Sequence, residues 1–125
     1  MDKQEFGFYA ETVASHYLQQ KKYQILDRNY RKPWGEIDII AQDGEIIVFV
    51  EVKANTKDYG VAFNPEVRVD HHKMRKIIKT ASLYLEFDLK ELKSEWRVDI
   101  VSVTIKEDAN KVKITHYKNV AESYF

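Results

Sequence analysis

The amino-acid sequence predicts an α/β protein in which two amphipathic helices cover a mixed central β-sheet. Three features carry that expectation. Apolar residues recur at helical spacing near the N-terminus and again between Met74 and Leu85. Between those stretches, two segments rich in β-branched residues flank Asp43-Gly44 in GEIDIIAQDGEIIVFVEVK, and an aspartate-glycine step in that setting is a strong hairpin signal. Further on, VDIVSVTI is apolar almost throughout, as a strand covered on both faces should be. Helices with one apolar stripe each need an apolar surface to bury, and a sheet between them supplies it.

The elements follow in chain order. Phe6, Ala10, Val13, Ala14 and Tyr17, with Leu18 at the margin, match the 3.6-residue period and predict a first helix over residues 3–20. Tyr23, Ile25 and Leu26 lead through Asn29 and Tyr30 to Lys32-Pro33-Trp34-Gly35. This reads as a short strand and a turn, because proline removes a backbone donor and glycine relaxes the backbone. The hairpin occupies residues 35–53, with Asp43 and Gly44 as its turn. Residues 54–69 mix polar side chains with Gly60 and Pro65 and lack periodicity, which marks a long loop beside the end of the hairpin. Asp70 is placed to cap a second helix that carries Met74, Ile77, Ile78, Ala81, Tyr84 and Leu85 and ends near Phe87. Strands over residues 96–105 and 111–117 and a short packed tail, NVAESYF, complete the chain.

A chain of 125 residues fits one domain, here residues 1–125, and 44% hydrophobic against 32% charged residues excludes a disordered class. Twenty Lys and Arg balance twenty Asp and Glu, so attraction to a polyanion must come from local clusters. Two such clusters exist: Arg28, Arg31 and Lys32 before the hairpin, and Lys73, Arg75, Lys76 and Lys79 on the second helix. Arg28, Arg31, Lys73 and Lys76 are the candidate nucleic-acid contacts, against the plainer reading of solvated surface charge. The absence of cysteine excludes disulfides and thiolate metal sites. Acidic residues in MDKQEFGFYAE and the lack of a long apolar run predict a cytoplasmic protein with no membrane partner. His71 and His72 are helical neighbours whose side chains diverge by about 100°, so they are read as surface residues and not as one metal site.

The pattern that carries chemistry lies in the hairpin. Strand side chains alternate faces, so Glu36 shares a face with Asp38, and Glu51 with Lys53. With Asp43 and Gly44 at the turn, Glu36 opposes Glu51, Asp38 opposes Phe49 and Lys53 opposes Trp34. All the charged members then fall on one face, with Asp38 and Glu51 diagonal neighbours within about 8 Å by Cα. Opposed like charges among apolar residues are costly unless a divalent cation resolves them, and oxygen ligands without His or Cys favour Mg²⁺ or Mn²⁺. Lys53 adds a cation that can orient water or stabilise charge building on a phosphate. A solvent-facing hairpin could carry the same E-x-K spacing, but the IIVFV run before it is that of a buried strand. Glu11 sits at the edge of the apolar face of the first helix, and by position alone reads as an ordinary flanking charge. Asp99 is expected to pair with Arg97 or with a neighbouring strand.

GFYAE, RNYR, GEIDIIA, VFVEVK, a lysine at the start of the second helix, and RVDIV together resemble the YraN family of uncharacterised bacterial proteins. That family is similar to archaeal Holliday junction resolvases and belongs to the restriction endonuclease-like PD-(D/E)xK superfamily. The resemblance covers nearly the whole chain and implies a restriction endonuclease-like core. It places the superfamily aspartate on Asp38, the second acid on Glu51, the lysine on Lys53, and an additional helix glutamate on Glu11. It further implies a metal-dependent nuclease acting on DNA, branched or junction DNA included, with Asp38, Glu51 and Glu11 around Mg²⁺ or Mn²⁺. Junction cutting needs two active sites, which implies a homodimer. The alternative expectation is a catalytically silent module on the same fold that binds nucleic acid or a protein.

Overall fold

The structure, a computed structural model, describes residues 1–56, 69–90, 95–106 and 111–124. Helix α1 (Lys3–Gln20) begins at Asp2, whose carboxylate accepts the Glu5 amide at 2.8 Å and so satisfies one orphan donor of the first turn. Ala10, Ala14 and Leu18 are fully buried, whereas Phe6 is only half-buried. The contact face is therefore rotated from the one expected. Two alanines set how closely the helix approaches the sheet, and Leu18 lies on the buried face and not at its margin.

Five strands follow: β1 (Gln24–Lys32), β2 (Gly35–Asp43), β3 (Ile46–Asn55), β4 (Trp96–Lys106) and β5 (Lys111–Tyr117). They form one mixed sheet in sequence order, β3 and β4 running parallel and every other neighbouring pair antiparallel. A parallel pair needs a long crossover, and helix α2 (His71–Leu83) lies in it. Asp70 caps α2 by accepting the Lys73 amide at 2.8 Å. The α-helix stops at Leu83, short of Phe87, and a π-helical turn (Tyr84–Leu89) follows. The short tail does pack: in the 3-10 turn Val120–Tyr124, Ala121 is buried and the Tyr124 hydroxyl donates to the Val69 carbonyl.

The two helices cover opposite faces. Met74, Ile77 and Ala81 of α2 pack with Ile47, Phe49 and Val98, and Ala10, Ala14 and Leu18 of α1 pack with Val48, Val50 and Val101. Adjacent residues of β3 thus serve opposite layers, which is why IIVFV is apolar without alternation. Burying each large side chain contributes about 1.5–3 kcal/mol. No helix among the described residues is long and apolar enough to cross a membrane.

Two sequence expectations are corrected. Asp43 pairs with Ile46, so the hairpin turn is Gly44-Glu45 and the register shifts. Gly44 has φ +61, and a glycine at the first central position is what a type II′ turn requires; a type I′ turn on Asp43-Gly44 would need Asp43 at positive φ as well. Secondly, Ala54 and Asn55 extend β3, and Val69 is core, so the expected loop is shorter at both ends. Its middle, residues 57–68, lies outside the described residues.

Candidate active site

The β2–β3 ladder ends at Ile39 opposite Val50. Beyond that pair, β2 is hydrogen-bonded to β1, which it follows to Lys32 opposite Gly35, while β3 continues along β4 to Asn55 opposite Thr104. The two strands fork. Asp38 and Glu51 are the first residues past the last pair, one on each arm. They therefore stand one step beyond direct partners, and the expected pairings of Glu36 with Glu51, Asp38 with Phe49 and Lys53 with Trp34 are not made.

A fork leaves backbone groups without ladder partners, and buried ones must find others. Here the Val52 amide donates to Asp38 Oδ2 at 2.8 Å. The alternation of β2 also breaks at this point, since Ile37 and Ile40 pack on the α2 side but Ile39 and Ala41 on the α1 side. Asn29 on β1, at φ +53, interrupts the neighbouring strand between its pairs Tyr30–Ile37 and Arg28–Ile39. The distortion of two strands thus brings a carboxylate to the mouth of the fork.

Burial is the main reason the Asp38 carboxyl is pushed up to about 7, and the Glu51 charge adds to it, with a smaller push from Glu11. The Val52 amide and Lys73 oppose the rise. Glu51 is itself only 8% exposed. Its partner comes from α2: Lys73 Nζ lies 2.6 Å from Glu51 Oε1. Burial pulls the Lys73 ammonium down, but the bond to Glu51 and the charges of Glu51, Asp38 and Glu36 hold it above its ordinary value. The sequence points to Lys73 as a surface phosphate contact; the structure makes it the direct cation of the acidic pair.

Lys53 lies two residues beyond Glu51 on the same side of β3, because Val52 and Ala54 turn toward the α1 layer. It is half-buried and makes no ion pair among the described residues. Further along β3, Asn55 is buried, its Nδ2 donating to Ser102 Oγ at 3.1 Å and reaching Thr104 Oγ1 at 3.4 Å. This polar contact escapes the sequence reading, in which Asn55 stands inside an expected loop.

Glu11 approaches from α1. Burial raises its carboxyl above the usual range, while a bond from Asn29 and the charges of Arg28 and Arg31 work against that rise. Its Oε1 is buried and accepts no hydrogen bond among the described residues. Arg28 ties β1 to α1, donating to Thr12 Oγ1 at 3.1 Å and stacking over the Phe8 ring at 5.3 Å. Arg31 is exposed and pairs with Glu36 at 3.5 Å. Lys76, His71 and His72 are exposed on α2.

Whether these groups suit a cation can be judged from their chemistry. Among the described residues no three His, Cys, Asp or Glu side chains are close enough to form a ready cage. Asp38 and Glu51 form a pair of oxygen donors, with Glu11 close enough for Asp38 to feel its charge. Mg²⁺ keeps several waters and is commonly held by one or two carboxylates plus a substrate phosphate, so such a pair fits it.

Asp99, on the other face of the sheet, is fully buried in a polar network. Arg97 Nε donates to its Oδ1 at 3.0 Å, the Asn119 amide donates there at 3.0 Å, and His116 Nε2 lies 2.7 Å from its Oδ2. His116 Nδ1 in turn meets the Tyr17 hydroxyl at 3.1 Å. Both expected pairings are present, with Arg97 on the same strand and with His116 on the neighbouring β5, while the Asn119 amide and the link through His116 to Tyr17 of α1 depend on tertiary packing that residue spacing does not show.

The mixed sheet between two helices, forked at its central hairpin with an acid on each arm, is an α/β fold with a restriction endonuclease-like core. The chain belongs to the uncharacterised protein family UPF0102, whose model matches residues 10–103. It is 43% identical over 111 residues to a UPF0102 protein of Fervidobacterium nodosum, covering 89% of this chain and 77% of that one. A Campylobacter hominis relative is 37% identical over 117 residues, 94% of each chain. One from Thermodesulfovibrio yellowstonii is 39% identical over 122 residues, covering 95% of this chain and 97% of that one. All three are described only as UPF0102 proteins.

Proposed function

We propose that this protein is a divalent-metal-dependent nuclease that hydrolyses phosphodiester bonds in DNA, branched DNA included. The observation that carries this reading is the meeting of Asp38 and Glu51 at the fork, where burial and the second acid push Asp38 to about 7. A half-buried Asp38 beside a buried Glu51, where the β2–β3 ladder ends, destabilises an apoprotein, and a cation relieves that conflict. Asp38 and Glu51 would hold Mg²⁺ or Mn²⁺, with Glu11 assisting from α1. When bound, such an ion polarises a phosphoryl oxygen and acidifies water. The Val52 amide fixes Asp38, and Lys73 fixes Glu51, so neither carboxylate must search for its rotamer. Lys53, on the same side of β3 as Glu51, is suited to orient water or to stabilise charge on the phosphate.

Cleavage of duplex, flap and four-way-junction DNA with Mg²⁺ or Mn²⁺, and with EDTA as control, tests the proposal. Cleavage lost in Asp38→Ala and Lys53→Ala is expected. No metal-dependent cleavage of any substrate, or full cleavage by Asp38→Ala, overturns it.

A second reading, a silent nucleic-acid-binding module, draws on the Lys73–Glu51 bond, which already neutralises one acid. Thermal unfolding separates the two. A rise in melting temperature with Mn²⁺ that Glu51→Gln abolishes favours the metal site, whereas indifference to Mn²⁺ favours the silent module.

A further inference from the structure

A groove of about 470 Å³ opens between the β1–β2 turn and the start of α2, and its walls include Arg31, Lys32, Trp34, Lys73, Lys76 and Ile77. Trp34 stands 40% exposed there, on the turn between Pro33 and Gly35. The turn is seated hard against α2: a Cβ at Gly35 would overlap Thr80 Oγ1 and lie 3.4 Å from the Lys76 carbonyl. The backbone on one side of the indole is thereby fixed against the helix.

The groove is locally basic although the whole chain is neutral. It holds four cations and two carboxylates: Arg31 pairs with Glu36 at 3.5 Å, Lys73 pairs with Glu51 at 2.6 Å, and Asp70 accepts the Lys73 amide at 2.8 Å, which leaves Lys32 and Lys76 with no carboxylate partner among the described residues. It also adjoins the acidic pair, since Lys73 lines the groove and bonds Glu51. On the far side of Arg31 a second groove, of about 430 Å³, reaches Glu11 and the exposed Phe8.

An accessible indole flanked by lysines matches one ligand chemistry, an unpaired nucleotide. Its base offers a π-face for stacking and its phosphates take the cations. Duplex DNA hides its base faces, so the indole would contribute nothing to binding it. We infer that the Trp34 groove binds an unpaired nucleic-acid strand, stacking a base on Trp34 and pairing the flanking phosphates with Lys32 and Lys76. This rests on the nuclease reading only in making the strand a substrate; it selects DNA with an unpaired stretch beside the cut.

Binding of dT12 and of a 12-base-pair duplex to the full chain, measured in EDTA, tests the inference without cleavage. The sequence has two tryptophans, so Trp96→Phe leaves Trp34 as the only indole reporter. Expected are quenching of Trp34 by dT12, preference for dT12 over duplex, and about ten- to hundred-fold weaker dT12 binding in Trp34→Ala. Trp34→Phe should retain most of the affinity. Replacing both Lys32 and Lys76 by Ala should lower the log–log salt slope by about 1.4. Unquenched Trp34, wild-type dT12 affinity in a Trp34→Ala protein with a normal melting curve, or preference for duplex overturns it. A protein that binds dT12 through Trp34 yet never cleaves refutes the nuclease reading alone. One that cleaves but binds dT12 equally well without Trp34 refutes the groove alone.

Discussion

Lys73 Nζ lies 2.6 Å from Glu51 Oε1, closing a bond between the first turn of α2 and the arm of the fork that β3 supplies. The Glu51 side chain is 9% exposed and that of Lys73 is 45% exposed. Lys73→Gln therefore strands a buried carboxylate, but water reaches the vacated end. The expected cost is about 1–2 kcal/mol at pH 7 by urea denaturation. In the proposed site a cation would take over the role of the ammonium. Mn²⁺ should then stabilise Lys73→Gln more than the wild type, and an equal response in the two would show that lysine and ion do not share Glu51.

Asp38 makes folding stability depend on pH, and the sign follows from its raised value. An unfolded aspartate titrates near 4, whereas folded Asp38 titrates at about 7. Between those values the native chain keeps a proton that the unfolded chain has lost. Stability therefore falls as pH rises from about 4 to about 7, then levels off. Asp38→Asn removes that slope while its Oδ1 still accepts from Val52. It should stabilise the protein by about 1–3 kcal/mol at pH 8 and by little near pH 4. Urea melts at the two pH values check this, and an equal effect at both would mean that Asp38 is not raised.

The opposite sign holds for Asp99. Burial alone would raise it, but His116, the Asn119 amide and Arg97 hold it below the ordinary carboxylate range. Its contribution is present above the unfolded value near 4 and lost as pH falls through the folded value. Asp99→Asn leaves Arg97 and His116 with a neutral partner, at a cost of about 2–4 kcal/mol near neutral pH. The penalty should shrink below pH 3 in thermal melts, and a penalty constant across that range would assign the loss to packing.

What the sequence discloses and withholds divides along physical lines. Periodicity locates both helices and the strands because burial on one face repeats with a fixed period, as Met74, Ile77 and Ala81 show. The parity of strand side chains keeps Glu51 and Lys53 on one side of β3 even though the hairpin register differs from the expected one. Register itself is ambiguous in the sequence because Asp43-Gly44 suits one turn type and Gly44-Glu45 another, a choice settled by the backbone at Gly44. The fork, the left-handed Asn29 and the reach of Lys73 to Glu51 arise from elements distant in sequence, so no local pattern encodes them. Glu11 shows the same limit: on its helix it is an ordinary edge charge, and only packing against β1 buries its Oε1.

Gly35 should tolerate no side chain while Thr80 keeps its hydroxyl. A Cβ there would overlap Thr80 Oγ1, an atom held in place by its 2.7 Å bond to the Lys76 carbonyl and wholly buried. Relieving that overlap requires the β1–β2 turn to shift from α2 or the Thr80 hydroxyl to leave its bond, so Gly35→Ala is expected to cost about 1–3 kcal/mol. Thr80→Ala deletes the obstructing oxygen, and the Lys76 carbonyl at 3.4 Å needs only a small shift. In that background Gly35→Ala should cost less than about 1 kcal/mol, giving a coupling of about 1–2 kcal/mol in a double-mutant cycle. The same cycle read by dT12 quenching of Trp34 should follow the stability, because displacing the turn from α2 displaces the indole from its groove. Additive stabilities would show that the turn yields freely, and Gly35 would then not be what seats Trp34.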